Sequence, residues 1–253
     1  MRARAELGDG VALQAVGVRY LVASDASADE LRRAVGTVER VDSALNLEFF
    51  ATPRAAPLLI YLFGDATSYD AYNVKAFGAV SDTPYGFYSS AEDLIVMNLA
   101  TGTGTLAHEL VHPLIAVDFP AVPSWFNEGF ASLFEQSEYT AEGRMRGLVN
   151  WRFEGLLSAL DAGEVALRPV MLTTTEAFYG EESGLNYAIA RYLCLYLQEQ
   201  GQLAAYYRAF REGVGEDPSG IATLESVLAS PLDDIEKAWK DWLRVVAERE
   251  AAK

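Results

Sequence analysis

Cysteine, histidine, positive charge and long apolar runs are what this chain has least of. Cys194 is the only cysteine in 253 residues, which excludes an intrachain disulfide and a zinc site built from several thiolates. Set inside "YLCLYL", it reads as a small buried hydrophobe rather than a nucleophile. No apolar run approaches the roughly 18 residues that a membrane span needs. The opening "MRARAELGDGVALQ" has two arginines but no sustained apolar stretch and does not read as a signal peptide; the compartment stays open. There is no internal repeat and no low-complexity linker. Lys and Arg number 20 against 36 Asp and Glu, a net charge of −16. That balance argues against a nucleic-acid backbone or an anionic membrane as main partner, because both want a basic face.

What is present suits a folded domain. Hydrophobic residues make up 51% and charged residues 22%, an ordinary globular composition, and the length is enough to bury a core without staples. The first hundred residues alternate strand and helix signals. "VRYLVAS" (18–24) and the continuous apolar run "PLLIYLF" (57–63) read as strands, the second buried on both faces. Between them, Ser27 and Glu30 stand at capping-box spacing, with Leu31, Val35, Val38 and Val41 at helical spacing. A shorter helix follows, capped by Asp65. "GAVSDTPYGFYSSAEDLIVMNLA" reads as a hairpin or meander, with "YGFYSS" as a possible turn and Leu94 to Leu99 as the last strand.

From Thr101 onward the pattern is helical. One helix is expected over about Arg144 to Leu160. Another is "LNYAIARYLCLYLQEQG" (185–201), apolar almost all round and ended by Gly201. The last has Ser230 as cap and Pro231 at its first position. Strands first and helices later imply an α+β class. The expected layout is a single domain over 1–253, β-rich over 1–100 and helical over 101–253, with the motif helix at the seam, where clefts form.

The two histidines of the chain, His108 and His112, both fall in "HELVH". Residues four apart on a helix lie about 40° apart around the axis and about 6 Å apart along it, so both imidazoles can reach one ion. Zinc suits such a pair, with nitrogen at about 2.0–2.1 Å and one position open to water. Glu109, one step round, reaches the water rather than the metal. H-E-x-x-H arises by chance about once in a hundred chains of this size. The alternative, an ordinary polar helix face, is weakened by the flanking "TLAHELVHPLIAV": in so apolar a helix these three polar groups need partners. With no third histidine, and Cys194 in an apolar helix, the third ligand must be a carboxylate. Glu128 in "PSWFNEGFASLFE" and Asp118 in "IAVDFP" are the candidates. Pro113 lacks an N–H, so the motif helix should kink or stop there.

"HELVH" followed by "WFNEGFA" resembles the gluzincin peptidases, in which HExxH is joined by NExxA on a second helix. The smaller bacterial peptidase MA-like domains resemble it more closely. "VPSWFNEGFASLFE", "LNYAIARYLCLYLQEQG" and "DIEKAWKDWL" occur in the same order as their P-x-W-x-N-E-G element, Tyr-containing helix and Trp-rich C-terminal helix. The resemblance runs from about Val18 to Leu243, but only the two ligand motifs are specific. It implies a zinc-dependent peptidase acting on a peptide or protein, with His108, His112 and Glu128 as ligands and Glu109 as general base. Tyr187, at the start of the later helix, is implied as oxyanion donor, with Tyr179 a second choice. Arg191 is a substrate-carboxylate ligand or, more simply, a helix ion pair. Asn127 is read as a cap or a partner of the ligand shell, and Glu135 as an orienter of a histidine or a solvated charge.

Fifteen residues separate His112 from Glu128, a few fewer than in the large gluzincins. The glycine-containing amine motif of the aminopeptidases is absent, which puts exopeptidase action in doubt. Asp118 sits at the third-ligand spacing of metzincin-like sites. Those need a glycine three residues after the second histidine, and Ile115 is a poor residue for φ > 0. In resembling enzymes the strand before the motif helix is an edge that pairs with substrate; Leu94 to Leu99 is either that edge or an interior strand. A zinc-binding but non-catalytic scaffold remains the other reading, which the intact Glu109 disfavours. Oligomeric state, substrate identity and endo versus exo cleavage are not legible.

Overall fold

A computed structural model describes residues 2–8 and 10–252. They form a mixed α+β protein that divides into two compact units, Met1–Asp118 and Phe119–Lys253. The motif helix belongs to the first unit. No helix among the described residues is long and apolar enough to cross a membrane.

The first unit runs α1 (Arg2–Leu7), β1 (Ala12–Val16), β2 (Tyr20–Ser24), α2 (Ala28–Glu48), β3 (Leu58–Phe63), α3 (Ala66–Phe77), β4 (Gly86–Ser89), β5 (Leu94–Asn98) and α4 (Gly104–Asp118). Its sheet has the order β1-β2-β3-β5-β4. β2, β3 and β5 are parallel, and antiparallel β1 and β4 close the two edges. A parallel centre must be covered on both faces, and β3 accordingly buries nearly every side chain. Ala23, Tyr61, Phe63, Leu94 and Val96 pack with Tyr69 and Tyr72 of α3 on one face. The alternate residues Val22, Ile60, Leu62, Ile95 and Met97 are equally buried, as the two-residue period of a strand requires.

Local signals set the helix starts here. Ser27 and Glu30 form the reciprocal capping box of α2, and Asp65 accepts the Ser68 N–H at the head of α3. Two expectations change. β5 is interior, paired with both β3 and β4, so the edge is β4; "YGFYSS" supplies that edge strand, and the turn follows it. The helix α4 continues through Pro113 to Asp118. One lost backbone bond is outweighed by a helix that buries Leu106, Leu110, Val111, Leu114 and Ile115, and Arg54 donates to the Pro113 carbonyl at 3.0 Å.

The second unit contains α5 (Ser124–Leu133), a hairpin of β6 (Ser137–Tyr139) and β7 (Met145–Gly147), α6 (Arg152–Ala162), α7 (Leu167–Met171), α8 (Thr175–Phe178), α9 (Ser183–Glu199), α10 (Leu203–Gly213), α11 (Ile221–Leu228) and α12 (Leu232–Ala251). The hairpin replaces the first part of the helix expected from Arg144. Gly143, at φ +79°, takes a left-handed turn conformation. The Gln198 amide of α9 brackets Gly147, accepting its N–H at 2.8 Å and donating to its carbonyl at 3.0 Å. Helix α12 starts one residue later than expected. Pro231 stands at the cap, and the Glu225 carboxylate, not Ser230, accepts the Leu232 N–H at 2.8 Å.

Helix α9 is the centre of this unit, with every residue from Ala188 to Leu197 buried. Helix α5 lies directly on it. A Cβ added at Gly129 would stand 2.7 Å from the Ala190 carbonyl carbon and oxygen. Only glycine allows that approach. Trp125, Phe126 and Phe130 of α5 pack with Tyr206, Tyr207 and Phe210 of α10, and the buried Trp125 indole donates to the Ser219 carbonyl at 3.1 Å.

Candidate metal centre

Helix α4 places His108 and His112 one turn apart on one face, with ring centroids 4.9 Å apart at 74°. His108 and Glu109 are buried and His112 is half-buried. Glu128 is the fifth residue of α5 and is buried. One ligand atom from each of His108, His112 and Glu128 lies within 4.8 Å of the others. That is close enough to hold one metal ion, since ligands about 2.0–2.2 Å from a common ion stand about 3–4 Å from one another. The donor set fits a transition metal better than calcium or magnesium, which take all-oxygen shells.

Asp118 lies elsewhere. Its Oδ1 accepts the backbone N–H groups of Ala51 and Thr52 at 3.0 and 2.8 Å, and it is not in the group of three. As a β-branched residue within a continuous helix, Ile115 gives the chain no sharp turn on which to bring Asp118 back.

The carboxylate of Glu128 meets two phenols. Tyr179, which follows α8, donates to Oε1 at 2.6 Å. Tyr187, in the first turns of α9, has its phenol raised well above the usual value, mainly by burial and then by the Glu128 charge beside it. The guanidinium of Arg152 lies 5.0 Å from the Tyr187 ring centre. Glu135 binds that guanidinium at 3.1 Å and accepts from the Asn150 amide at 3.1 Å, so it is neither isolated nor simply solvated. Near Glu109, Tyr69 of α3 donates to the Thr83 carbonyl. Its phenol is raised chiefly by burial, with Glu109 a lesser contributor.

Two expectations about neighbouring residues are corrected, and the reading of Cys194 as a buried hydrophobe holds. Asn127 does not cap α5. The cap is Pro123, whose carbonyl takes the Phe126 and Asn127 N–H groups at 3.1 and 3.0 Å, so Asn127 is already inside the first turn. Among the described residues Arg191 forms no ion pair with a helix neighbour, and it is fully buried. Its guanidinium donates to the carbonyls of Ser132 and Leu133, orphan groups at the end of α5, and to that of Leu148 beyond β7. Cys194 is wholly buried, and burial raises its thiol well above the usual range, the opposite of an activated nucleophile.

Sequence reasoning did not find the Tyr179 contact, the Gly129 approach to Ala190 or the capping of α5 by Arg191. No local pattern marks any of the three, because each partner is more than fifty residues away. No protein-family model matches the chain, and no curated protein matches it.

Proposed function

We propose that the protein is a zinc-dependent peptidase in which His108, His112 and Glu128 hold the metal and Glu109 is the general base. The observation that carries this reading is the convergence of two imidazoles and one remote carboxylate within 4.8 Å, with a buried glutamate adjacent in sequence to the first imidazole. Two histidines and one glutamate are a catalytic zinc set, because three protein ligands leave a position open. Bound zinc would act as a Lewis acid that polarises a substrate carbonyl and eases deprotonation of water at about neutral pH.

The remaining work falls to the chain. Glu109 takes a proton from the attacking water and delivers it to the leaving amine. Tyr187, held protonated by burial beside Glu128, is the donor proposed for the developing oxyanion. The backbone of an extended peptide would pair with β4, since β4 is the sheet edge that follows β5 in the order.

The test is Glu109→Gln. The variant should bind zinc as the parent does and lose about 10²–10⁴-fold in peptide hydrolysis, followed by mass spectrometry on a mixture of unstructured peptides. Equal turnover by the parent and the variant would refute the assigned base. A parent that retains zinc but cleaves nothing would instead assign a non-catalytic zinc module.

A further inference from the structure

We propose that Tyr179 is a positioning residue for the metal: its hydroxyl fixes the Glu128 carboxylate in the orientation that meets the cation. The inference rests on the metal centre proposed above and adds the element that makes it rigid.

A glutamate side chain has three rotatable bonds, and freezing them on metal binding costs rotamer entropy. A partner that holds the carboxylate beforehand removes part of that cost. The Tyr179 hydroxyl does so through Oε1 at 2.6 Å, a charge-assisted bond of the short, strong kind. With Oε1 engaged by the phenol, Oε2 would be the oxygen that meets a cation.

The phenol is itself held. Thr174 caps α8 by accepting the Ala177 N–H, and the Tyr179 N–H bonds to the Thr175 carbonyl. The Tyr179 ring packs edge-on against buried Phe178 at 5.4 Å. The same short helix reaches α5 a second time, through Thr175 Oγ1 and Ser124 Oγ at 2.8 Å. Helix α8 therefore braces the ligand helix at its first residue and at the ligand. Tyr187 approaches the same carboxylate from α9, and its ring also packs on Phe178 and faces Arg152.

The assignment predicts a difference that an oxyanion role does not. Zinc dissociation constants are measured by competition with a chromophoric chelator for the parent, Tyr179→Phe and Tyr187→Phe. Tyr179→Phe should weaken zinc about 10–100-fold, the usual effect of removing a hydrogen-bond partner of a metal ligand, and Tyr187→Phe by less than about threefold. The visible bands of the cobalt(II)-substituted protein should shift in Tyr179→Phe and hold in Tyr187→Phe, a change that loss of packing alone would not produce. Parent-like zinc affinity in Tyr179→Phe, or a larger loss in Tyr187→Phe, overturns the inference and leaves the peptidase reading standing. A parent that takes up no zinc overturns both. Should Tyr179→Phe not fold, Thr174→Ala removes the α8 cap without touching the phenol. It should cost zinc affinity a few-fold by loosening the same ligand partner, and no loss there overturns the inference.

Discussion

Replacing Gly129 by alanine tests whether the approach of α5 to α9 holds the metal ligand in place. The added methyl would meet the Ala190 carbonyl carbon and oxygen at 2.7 Å and its Cβ at 2.8 Å. Carbon atoms rest about 3.5–4.0 Å apart, so α5 must retreat by about 1 Å or distort. Overpacking of this kind costs about 1–3 kcal/mol. Because the contact is with backbone in the fully buried middle of α9, the upper part of that range is expected. Glu128 is the preceding residue on the same helix, and ligand distances in a metal site hold to about ±0.2 Å. The displacement should therefore weaken zinc by at least about tenfold, by analogy with the loss of ligand-orienting contacts. Gly155→Ala is the matched control. Gly155 is exposed in α6 with nothing within 4 Å of its added Cβ, so alanine there should stabilise by about 0.5–1 kcal/mol. Urea unfolding of the metal-free proteins, with chelator competition for zinc, reads both effects. Gly129→Ala matching the parent in both measurements would refute the claim that this contact positions Glu128.

Asp118→Ala should separate the structural carboxylate from the proposed ligand. It strips a charged acceptor from the Ala51 and Thr52 N–H groups and should destabilise the fold by about 2–3 kcal/mol in urea titration, with zinc affinity kept; loss of zinc without loss of stability would restore Asp118 as a ligand. Cys194, wholly buried with its thiol raised, should react with a thiol reagent only in denaturant; rapid modification of the native protein would contradict the packing of α9.

Much of the fold was legible because its signals are local. The capping box of Ser27 and Glu30, the Asp65 cap and the apolar periods of α2, β3 and α9 each depend on residues within one or two turns. What was misread depended on distant partners. The β6–β7 hairpin leans on Gln198 of α9. The strand before the motif helix is interior because β4, earlier in the chain, takes the edge beyond it. Arg191 looked like a charge wanting a helical counterion. Burial beside the end of α5 gave it three carbonyls instead.

The sequence by itself determined the pairing of His108 with His112, because helical periodicity puts residues four apart on one face whatever surrounds them. It also narrowed the third ligand to a carboxylate, because the chain holds no other histidine and its one thiol sits in an apolar helix. Which carboxylate stands beside the imidazoles, and which tyrosine donates to it, was decided only by tertiary structure. Asp118 and Glu128 are both carboxylates downstream of the motif, but one accepts two backbone amides and the other stands within reach of both imidazoles. The physical reason is that the short range of a coordination bond makes ligation a property of distances between elements, which residue order does not encode.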